Sequence, residues 1–336
     1  MHHHENKPIV AANLSKTYRV LEGKKGLRGA LKNLVSRDYT HVHALKDATF
    51  DIEQSSIVGL IGPNGAGKST TIKILAGILT PSSGEARVLG RDPAANRKEN
   101  ALNIAVVFGQ RTKLWWDLPC FESYELHCRM YRIPPAIYAQ RIEEFSRVLE
   151  IDKFWHTPVR QLSLGQRMRA ELAVSLLHDP RIVYLDEPTI GLDAVGKERI
   201  RQFIHDRNEK YGTTFLITSH DMVDISRLCS RIMIIDKGIL IYDGSIPDIS
   251  TKYGGQRVLK VELREDYEDF STRFGSVVSD EGLIKSISFN RAECSAVDLI
   301  KEIGGRYEIA DVSIEETEIE EIVRGIYEHG VDEHAK

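Results

Sequence analysis

A glycine-rich run from Gly62 to Thr70 constrains the fold of this chain more than any other feature. It reads GPNGAGKST and matches the phosphate-binding pattern G-x-x-x-x-G-K-[ST]. The apolar run Ile57–Ile61 precedes it, and a helix-forming run from Thr71 to Ala76 follows it. The sequence therefore predicts a buried parallel strand, a loop and a helix, in the order that the pattern requires. The alternative is an ordinary glycine-rich turn before a helix, and the matching flanks count against it.

The residue types in this loop suit the binding of a nucleoside triphosphate. The glycines let backbone N–H groups turn toward phosphate, and the helix that follows adds its N-terminal dipole. Lys68 can reach the β- and γ-phosphates, and Ser69 can ligate Mg²⁺. We therefore expect ATP and Mg²⁺ to bind along the whole loop, which comprises Gly62, Pro63, Asn64, Gly65, Ala66, Gly67, Lys68, Ser69 and Thr70.

The whole-chain composition is that of a globular protein with one large and one small domain. Of its 336 residues, 42% are hydrophobic and 28% are charged. The net charge of -4 argues against general nucleic-acid binding, and no nucleic-acid partner is expected. The four cysteines lack metal or redox spacing, which indicates free thiols in a reducing compartment. No apolar run is long enough to cross a bilayer, and Met1–His4 resembles an expression tag, so we expect a cytosolic protein unless a partner holds it at a membrane.

Two adjacent acids end a second apolar strand, in the run RIVYLDEP at 181–188. Asp186 can hold Mg²⁺ through water, and Glu187 can polarise an attacking water. The alternative is an acidic pair without a metal role, and the upstream phosphate loop argues against it. His220 follows a strand predicted at 213–218. A lone histidine is usually structural, but one at a strand end beside a phosphate site can contact the γ-phosphate.

Three further features suggest a role in nucleotide binding only when they are considered together with the phosphate loop. Tyr18 can stack on a base, or it is a half-buried strand residue. Gln110 follows the strand predicted at 104–108, at the strand end where α/β folds place ligands. The loop at 162–166, with Gly165 and Gln166, precedes a helix predicted at 167–177. It is either a second phosphate site or an ordinary helix start that Ser163 caps.

The segment Glu22–His43 is basic and has apolar residues at helical spacing. Such a helix can dock on membrane headgroups or a partner, or it can pack on its own domain, and both interpretations stay open. The stretch at 44–53 alternates like an edge or antiparallel strand.

In this order, the motifs resemble those of the ATP-binding cassette (ABC) ATPases over about Ile9–Tyr253. The resemblance implies an α/β P-loop NTPase fold with a RecA-like core, an antiparallel β subdomain and a helical subdomain at 115–178. It also implies ATP hydrolysis. The implied roles are Walker A for the loop at 62–70, adenine stacking for Tyr18, a metal-linked Q-loop for Gln110, the signature motif for Ser163, Gly165 and Gln166, the Walker B acid for Asp186, the general base for Glu187, the D-loop for Asp193 and the switch histidine for His220.

One position departs from the family pattern. The family commonly has glycine where this chain has Leu164, a change that leaves the Ser163 hydroxyl and the backbone donors in place. The runs LSKTY, HALKDATF, QLSLGQR and DEPTIGLD look like those of bacterial type-2 exporter ATPases, close to the uncharacterised and viologen- or drug-exporter ATPases. This likeness implies a homodimer that binds ATP and an integral membrane permease as partner, with the chain peripheral at the inner face of the cell membrane.

Two alternatives to a transporter subunit remain open. A soluble ABC ATPase acting on ribosomes or DNA normally has two cassettes or long coiled coils, whereas this chain has one cassette and no sustained heptads between 79 and 162. A module that binds ATP only as a switch would not need the general base Glu187 and His220.

We expect three parts along the chain. Residues 1–8 are a tag and start, 9–244 form the ABC ATPase domain with the basic insertion at 22–43, and 245–336 form an accessory α+β domain. Strands are predicted at 257–263, 284–289 and 307–314, and helices at 296–303 and 316–327. A ferredoxin-like arrangement fits this order. Dimer support, autoregulation and passive stabilisation all remain open as its role.

Overall fold

The computed structural model describes residues 7–21, 39–109, 112–219, 221–253, 256–267, 269–290, 293–316, 320 and 322–325. Most of the basic segment at 22–43, together with Gln110 and His220, lies outside the described residues. The chain divides into two compact units, residues 1–243 and 244–336.

The first unit alternates strands and helices. Its described strands are β1 (Ile9–Leu21), β2 (Tyr39–Ile52), β3 (Ile57–Ile61), β4 (Ser83–Val88), β5 (Ile104–Phe108), β6 (Ile182–Asp186), β7 (Thr214–Ser219), β8 (Arg231–Asp236) and β9 (Ile239–Ser245). Its described helices are α1 (Lys68–Leu75), α2 (Arg97–Asn103), α3 (Cys120–Met130), α4 (Pro135–Leu149), α5 (Leu164–Leu176), α6 (Ala194–Tyr211) and α7 (Met222–Leu228).

A six-stranded sheet in the order β5-β6-β7-β3-β8-β9 forms the centre of the first unit. The pairs from β5 through β8 are parallel, and every residue of β3 is buried. Strands covered on both faces must be apolar, which is why the runs at 57–61 and 182–185 contain no charged residue. Because these strands are parallel, the loops after β3, β5, β6 and β7 all emerge at one edge of the sheet.

A second sheet, antiparallel and three-stranded, has the order β2-β1-β4. Its strand β2 begins at Tyr39, earlier than the predicted Ala44, because the end of the segment at 22–43 pairs with β1. The pairs Thr17 with His43 and Leu21 with Tyr39 show this extension. Residues 39–43 therefore belong to a strand, and the helical prediction for this segment does not hold there.

The region at 115–178 is helical, with α3, α4 and α5. Helix α4 begins at Pro135, because proline fits the first turn of a helix. Helix α5 begins at Leu164 rather than at 167, because Ser163 and Gln166 form a capping box.

The second unit contains α8 (Ile246–Tyr253), β10 (Gln256–Leu263), β11 (Ser276–Glu281), β12 (Ile284–Asn290), α9 (Ala296–Gly304) and β13 (Ile309–Glu316). Its strands form an antiparallel sheet in the order β11-β12-β10-β13, as two interleaved β-crossover-β units would give. Leu299 and Ile303 of α9 pack in the core of this unit with apolar residues of β10 and β12. The sequence missed β11, and the predicted helix at 316–327 is helical at 320 and 322–325, whereas Glu316 ends β13.

Candidate functional site

The phosphate loop lies between two strands that leave room only for glycine. A Cβ on Gly62 would lie 2.2 Å from the carbonyl oxygen of Ile235 in β8, and one on Gly67 would lie 2.5 Å from that of Ala44 in β2. Gly67 also has φ +119, in the region that side chains rarely adopt. The neighbouring strands thus fix the path of the loop from β3 into α1. The first N–H groups of an α-helix have no partner within the helix and can bind an anion.

Lys68 is buried under this loop. Its ammonium group donates hydrogen bonds to the carbonyl oxygens of Gly62 and, at 3.2 Å, Pro63. Burial lowers the pKa of Lys68, and the nearby carboxylates of Glu187 and Asp186 act in the opposite direction. A cation is therefore held where the phosphates of a nucleotide would lie against the loop.

Asp186 is held by two hydroxyl groups at the carboxyl end of β6. Ser69 Oγ donates to its Oδ2 at 2.9 Å, and Thr218 Oγ1 donates to its Oδ1 at 2.6 Å. The pair of hard oxygens on Ser69 and Asp186 suits Mg²⁺, which keeps several waters and takes few protein ligands. The donor set thus fits the predicted ion without a cluster of carboxylates, and the described residues contain no group of three or more potential His, Cys, Asp or Glu ligands.

Glu187 sits directly after Asp186 in a left-handed backbone conformation, with φ 56. Its N–H donates to the carbonyl oxygen of Thr218 at 3.0 Å, and the same N–H lies 3.2 Å from the Thr218 hydroxyl. Thr218 therefore contacts both acids, and it is the supporting residue that sequence reasoning missed. The only signal for Thr218 in the sequence is that a hydroxyl residue stands one position before the end of β7, the strand next to the one that carries the acidic pair.

An open cleft of about 990 Å³ joins these groups. It is lined by the whole loop at 62–70 and by Asp186 and Glu187, which the sequence predicted as site residues. It is also lined by residues that the sequence did not single out: Lys73, Phe108, Gly109 and Ile190. The structure thus brings the phosphate loop and the acidic pair to one place.

Other predicted residues lie away from the lining of this cleft. Tyr18 is half-buried on β1, where Lys16 Nζ lies 5.5 Å from the centre of its ring. Ser163 is exposed, and its hydroxyl oxygen accepts a hydrogen bond from the N–H of Gln166 at 3.2 Å. Asp193 is exposed and caps α6 by accepting from the N–H of Gly196 at 2.7 Å. Gln110 and His220 fall outside the described residues, so their roles stay predictions.

A strand, a glycine loop closed over a buried lysine, and a strand-end aspartate bonded to the loop serine define a P-loop nucleotide-binding site. The family profile described as ABC transporter matches residues 45–190. The chain is 33% identical over 210 residues to ABC transporter ATP-binding protein NatA of Bacillus subtilis, covering 62% of this chain and 84% of that protein.

Other relatives extend the comparison. The probable sulfate/thiosulfate import ATP-binding protein CysA of Chlorella vulgaris is 31% identical, covering 64% of this chain and 91% of that protein. ABC transporter A family member 8 of Dictyostelium discoideum is 33% identical over 74% of this chain, which spans only 28% of that protein's length. A solved structure described as a post-hydrolysis state of the ATP-binding cassette MJ0796, dimeric and bound to ADP and Pi, matches with a TM-score of 0.58 and 27% identity, covering 71% of this chain and 98% of that one.

This chain belongs to the ABC transporter family as an ATP-binding protein, and its first unit is an ABC ATPase domain. The α/β P-loop fold and the ATPase activity expected from the sequence are thereby confirmed.

Proposed function

We propose that this protein is the ATP-hydrolysing subunit of an ABC exporter. The observation that carries the catalytic part is the hydrogen bond between Ser69 and Asp186, which joins the phosphate loop to the acidic pair across one cleft. The exporter assignment is supported by the sequence likeness to type-2 exporter ATPases. It goes beyond the relatives' names, which include an importer subunit.

The residues of the cleft divide the work of phosphoryl transfer. The loop N–H groups and Lys68 hold the phosphates of ATP, and Ser69 and Asp186, with Gln110, would hold Mg²⁺. When bound, Mg²⁺ offsets the negative charge on the phosphate oxygens. Glu187 orients a water and takes its proton, and His220 keeps water and γ-phosphate in line. Catalysis is then positioning plus electrostatic stabilisation, as this reaction requires.

We infer that a second copy of the chain completes each site. Ser163 is exposed and lies off the cleft of its own chain, so it is accessible to a partner. In a two-fold homodimer the Ser163 loop, with Gly165 and Gln166, would face the γ-phosphate bound by the other chain, and Asp193 would lie at the same interface. Tyr18 would stack on the adenine. ATP closes this dimer, and hydrolysis opens it.

The membrane part of the exporter is proposed to be a separate permease. Among the described residues, none of the helices has both the length and the apolar character needed to cross a membrane. We infer that the chain is cytoplasmic and binds the permease at the inner face of the cell membrane, with Gln110 and the region at 115–132 passing on the motion. The alternative is a soluble ABC ATPase acting on ribosomes or DNA.

Glu187→Gln tests the chemistry. The variant keeps size and polarity but lacks the base, so we expect ATP binding to persist while turnover falls about 100-fold or more. Glu85→Gln is the matched control, because Glu85 is an exposed acid on β4, and it should turn over like wild type. A Glu187→Gln variant as fast as wild type would refute the general-base assignment.

The same variant tests the partner. Tagged Glu187→Gln, extracted from native membranes in mild detergent with MgATP, should retain a polytopic membrane protein. Everted vesicles containing that protein should then take up its substrate when ATP is added, since export from the cell is uptake into such vesicles. Recovery of ribosomes or DNA-repair proteins instead would favour the soluble alternative.

A further inference from the structure

The side chain of Leu164, which stands where the family commonly has glycine, lies directly on the turn at 190–193 that follows the acidic pair. We propose that Leu164 is a positioning residue. Its side chain packs this turn against the Ser163 loop of the same chain, and the contact holds both loops and Glu187 in a fixed arrangement. The inference rests on the proposed ATPase function and concerns a residue that is not part of the cleft lining.

The contact is a reciprocal pairing of leucine with glycine. A Cβ built on Gly191 would lie 2.4 Å from Leu164 Cδ2, so the leucine rests on the bare backbone of Gly191. In return, Leu192 Cδ2 lies 3.4 Å from a Cβ built on Gly165. Each loop thus presents one glycine to the leucine of the other. Only the contact at Gly191 is too close to accept a side chain without a shift, because the 3.4 Å at Gly165 is an ordinary contact distance.

One hydrogen bond joins this turn to the acidic pair, and a second joins it to Thr189. The N–H of Ile190 donates to the carbonyl oxygen of Glu187 at 3.4 Å, and the N–H of Leu192 donates to that of Thr189 at 3.3 Å. Ile190 also lines the nucleotide cleft. A shift of the turn therefore moves the backbone next to Glu187, whose left-handed conformation already depends on its surroundings.

Ordinary packing does not account for a leucine at this position. Leu164 is 36% exposed, so a part of its apolar surface remains in water. The helix α5 does not need it either, because the capping box of Ser163 and Gln166 already starts that helix. Leu164 also borders a small cavity of about 190 Å³ with Phe108 and Trp116, so its surroundings there are not filled.

The test is a cycle of variants assayed for steady-state ATPase activity and thermal unfolding. Leu164→Ala removes the contact while keeping a good helix former, and Leu164→Met retains it with a side chain of similar volume. Gly191→Ala places a methyl group against Leu164, and the double variant Leu164→Ala/Gly191→Ala relieves that clash. Leu102→Ala, an exposed leucine on α2, is the matched control.

We expect kcat of Leu164→Ala to fall about tenfold, within the hundredfold that a misplacement of about 1 Å can cost. The KM for ATP should stay near that of wild type because the phosphate loop is unchanged, and Leu164→Met should restore kcat. The double variant should be faster than Gly191→Ala alone, although the strain of alanine at φ +69 remains.

Two results would overturn the inference while leaving the proposed function intact. In the first, the wild type is active, and either kcat of Leu164→Ala equals that of wild type or Leu102→Ala lowers kcat by the same factor. The other is a loss that appears only as a lower unfolding temperature, with kcat per folded molecule unchanged. A wild type without ATPase activity would refute the proposed function and this inference together.

Discussion

Replacing Thr218 by valine should damage the acidic pair without changing the shape of the core. Thr218 is fully buried at the end of β7. Its hydroxyl donates to Asp186 at 2.6 Å and lies 3.2 Å from the N–H of Glu187. Valine fills the same volume but offers no donor, so Asp186 would keep only the hydrogen bond from Ser69.

The magnitude follows from what each acid loses. A hydrogen bond to a charged group contributes about 1.5–3 kcal/mol, and the N–H of Glu187 keeps its bond to the Thr218 carbonyl, so the free energy of unfolding should fall by about 2 kcal/mol. Asp186 would then be held by Ser69 alone, which fixes its orientation for Mg²⁺ less firmly. Loss of such an outer partner typically weakens a metal site by about 10–100-fold, so the Mg²⁺ concentration for half-maximal ATPase activity should rise at least about tenfold.

The assay is ATPase activity against free Mg²⁺, with urea unfolding of the same samples. Thr214→Val is the control on the same strand: Thr214 is also buried, and its hydroxyl accepts from the N–H of Ser55 at 3.0 Å, far from the acids. It should lose stability without any change in Mg²⁺ dependence. Equal Mg²⁺ dependence in Thr218→Val and Thr214→Val would refute the argument that Thr218 orients Asp186.

Burial lowers the pKa of His178 to about 4, so its neutral form contributes stability that is present above pH 6.5 and lost as the pH falls toward 4. In His178→Gln the fall in the free energy of unfolding between pH 6.5 and 4 should be smaller than in wild type, by up to about 3 kcal/mol. His156→Gln, at an exposed histidine, is the control and should keep the wild-type dependence on pH. The same pH dependence for both variants in urea titrations would contradict this. Gly67→Ala should abolish ATP binding in calorimetry because its Cβ would lie 2.5 Å from the Ala44 carbonyl oxygen. Gly65→Ala, whose Cβ would have nothing within 4 Å, should retain binding with a modest loss of affinity. Equal losses of affinity in the two variants would contradict the steric argument. Removal of Mg²⁺ by EDTA should stop hydrolysis while leaving ATP binding detectable, and undiminished hydrolysis would contradict the metal role of the Ser69–Asp186 pair.

Local patterns predicted the parts of the fold that local chemistry determines. The buried strands at 57–61 and 104–108 form β3 and β5 with the predicted bounds, because strands covered on both faces require uninterrupted apolar runs. The phosphate loop and the acids at the end of β6 were also recognisable, because the loop needs its glycines and the parallel strands bring their carboxyl ends to one edge.

Features that depend on contacts between distant residues could not be predicted in the same way. Strand β11 has an exposed and mostly polar sequence, and it is a strand only because β12 pairs with it. The start of β2 at Tyr39 is likewise determined by pairing with Leu21. Thr218 and the contact of Leu164 with Gly191 join segments that are far apart in the sequence, and no spacing rule indicates them.

The two interpretations that the sequence left open for Ser163 are compatible in the structure. Its hydroxyl oxygen accepts from the N–H of Gln166, and the Gln166 side chain accepts from the N–H of Ser163, so the residue is an ordinary helix cap. Accepting one hydrogen bond uses a lone pair and leaves the hydroxyl proton available to donate. The cap fixes the oxygen in place on an exposed residue. Helix capping by Ser163 therefore gives no argument against its proposed role in ATP binding.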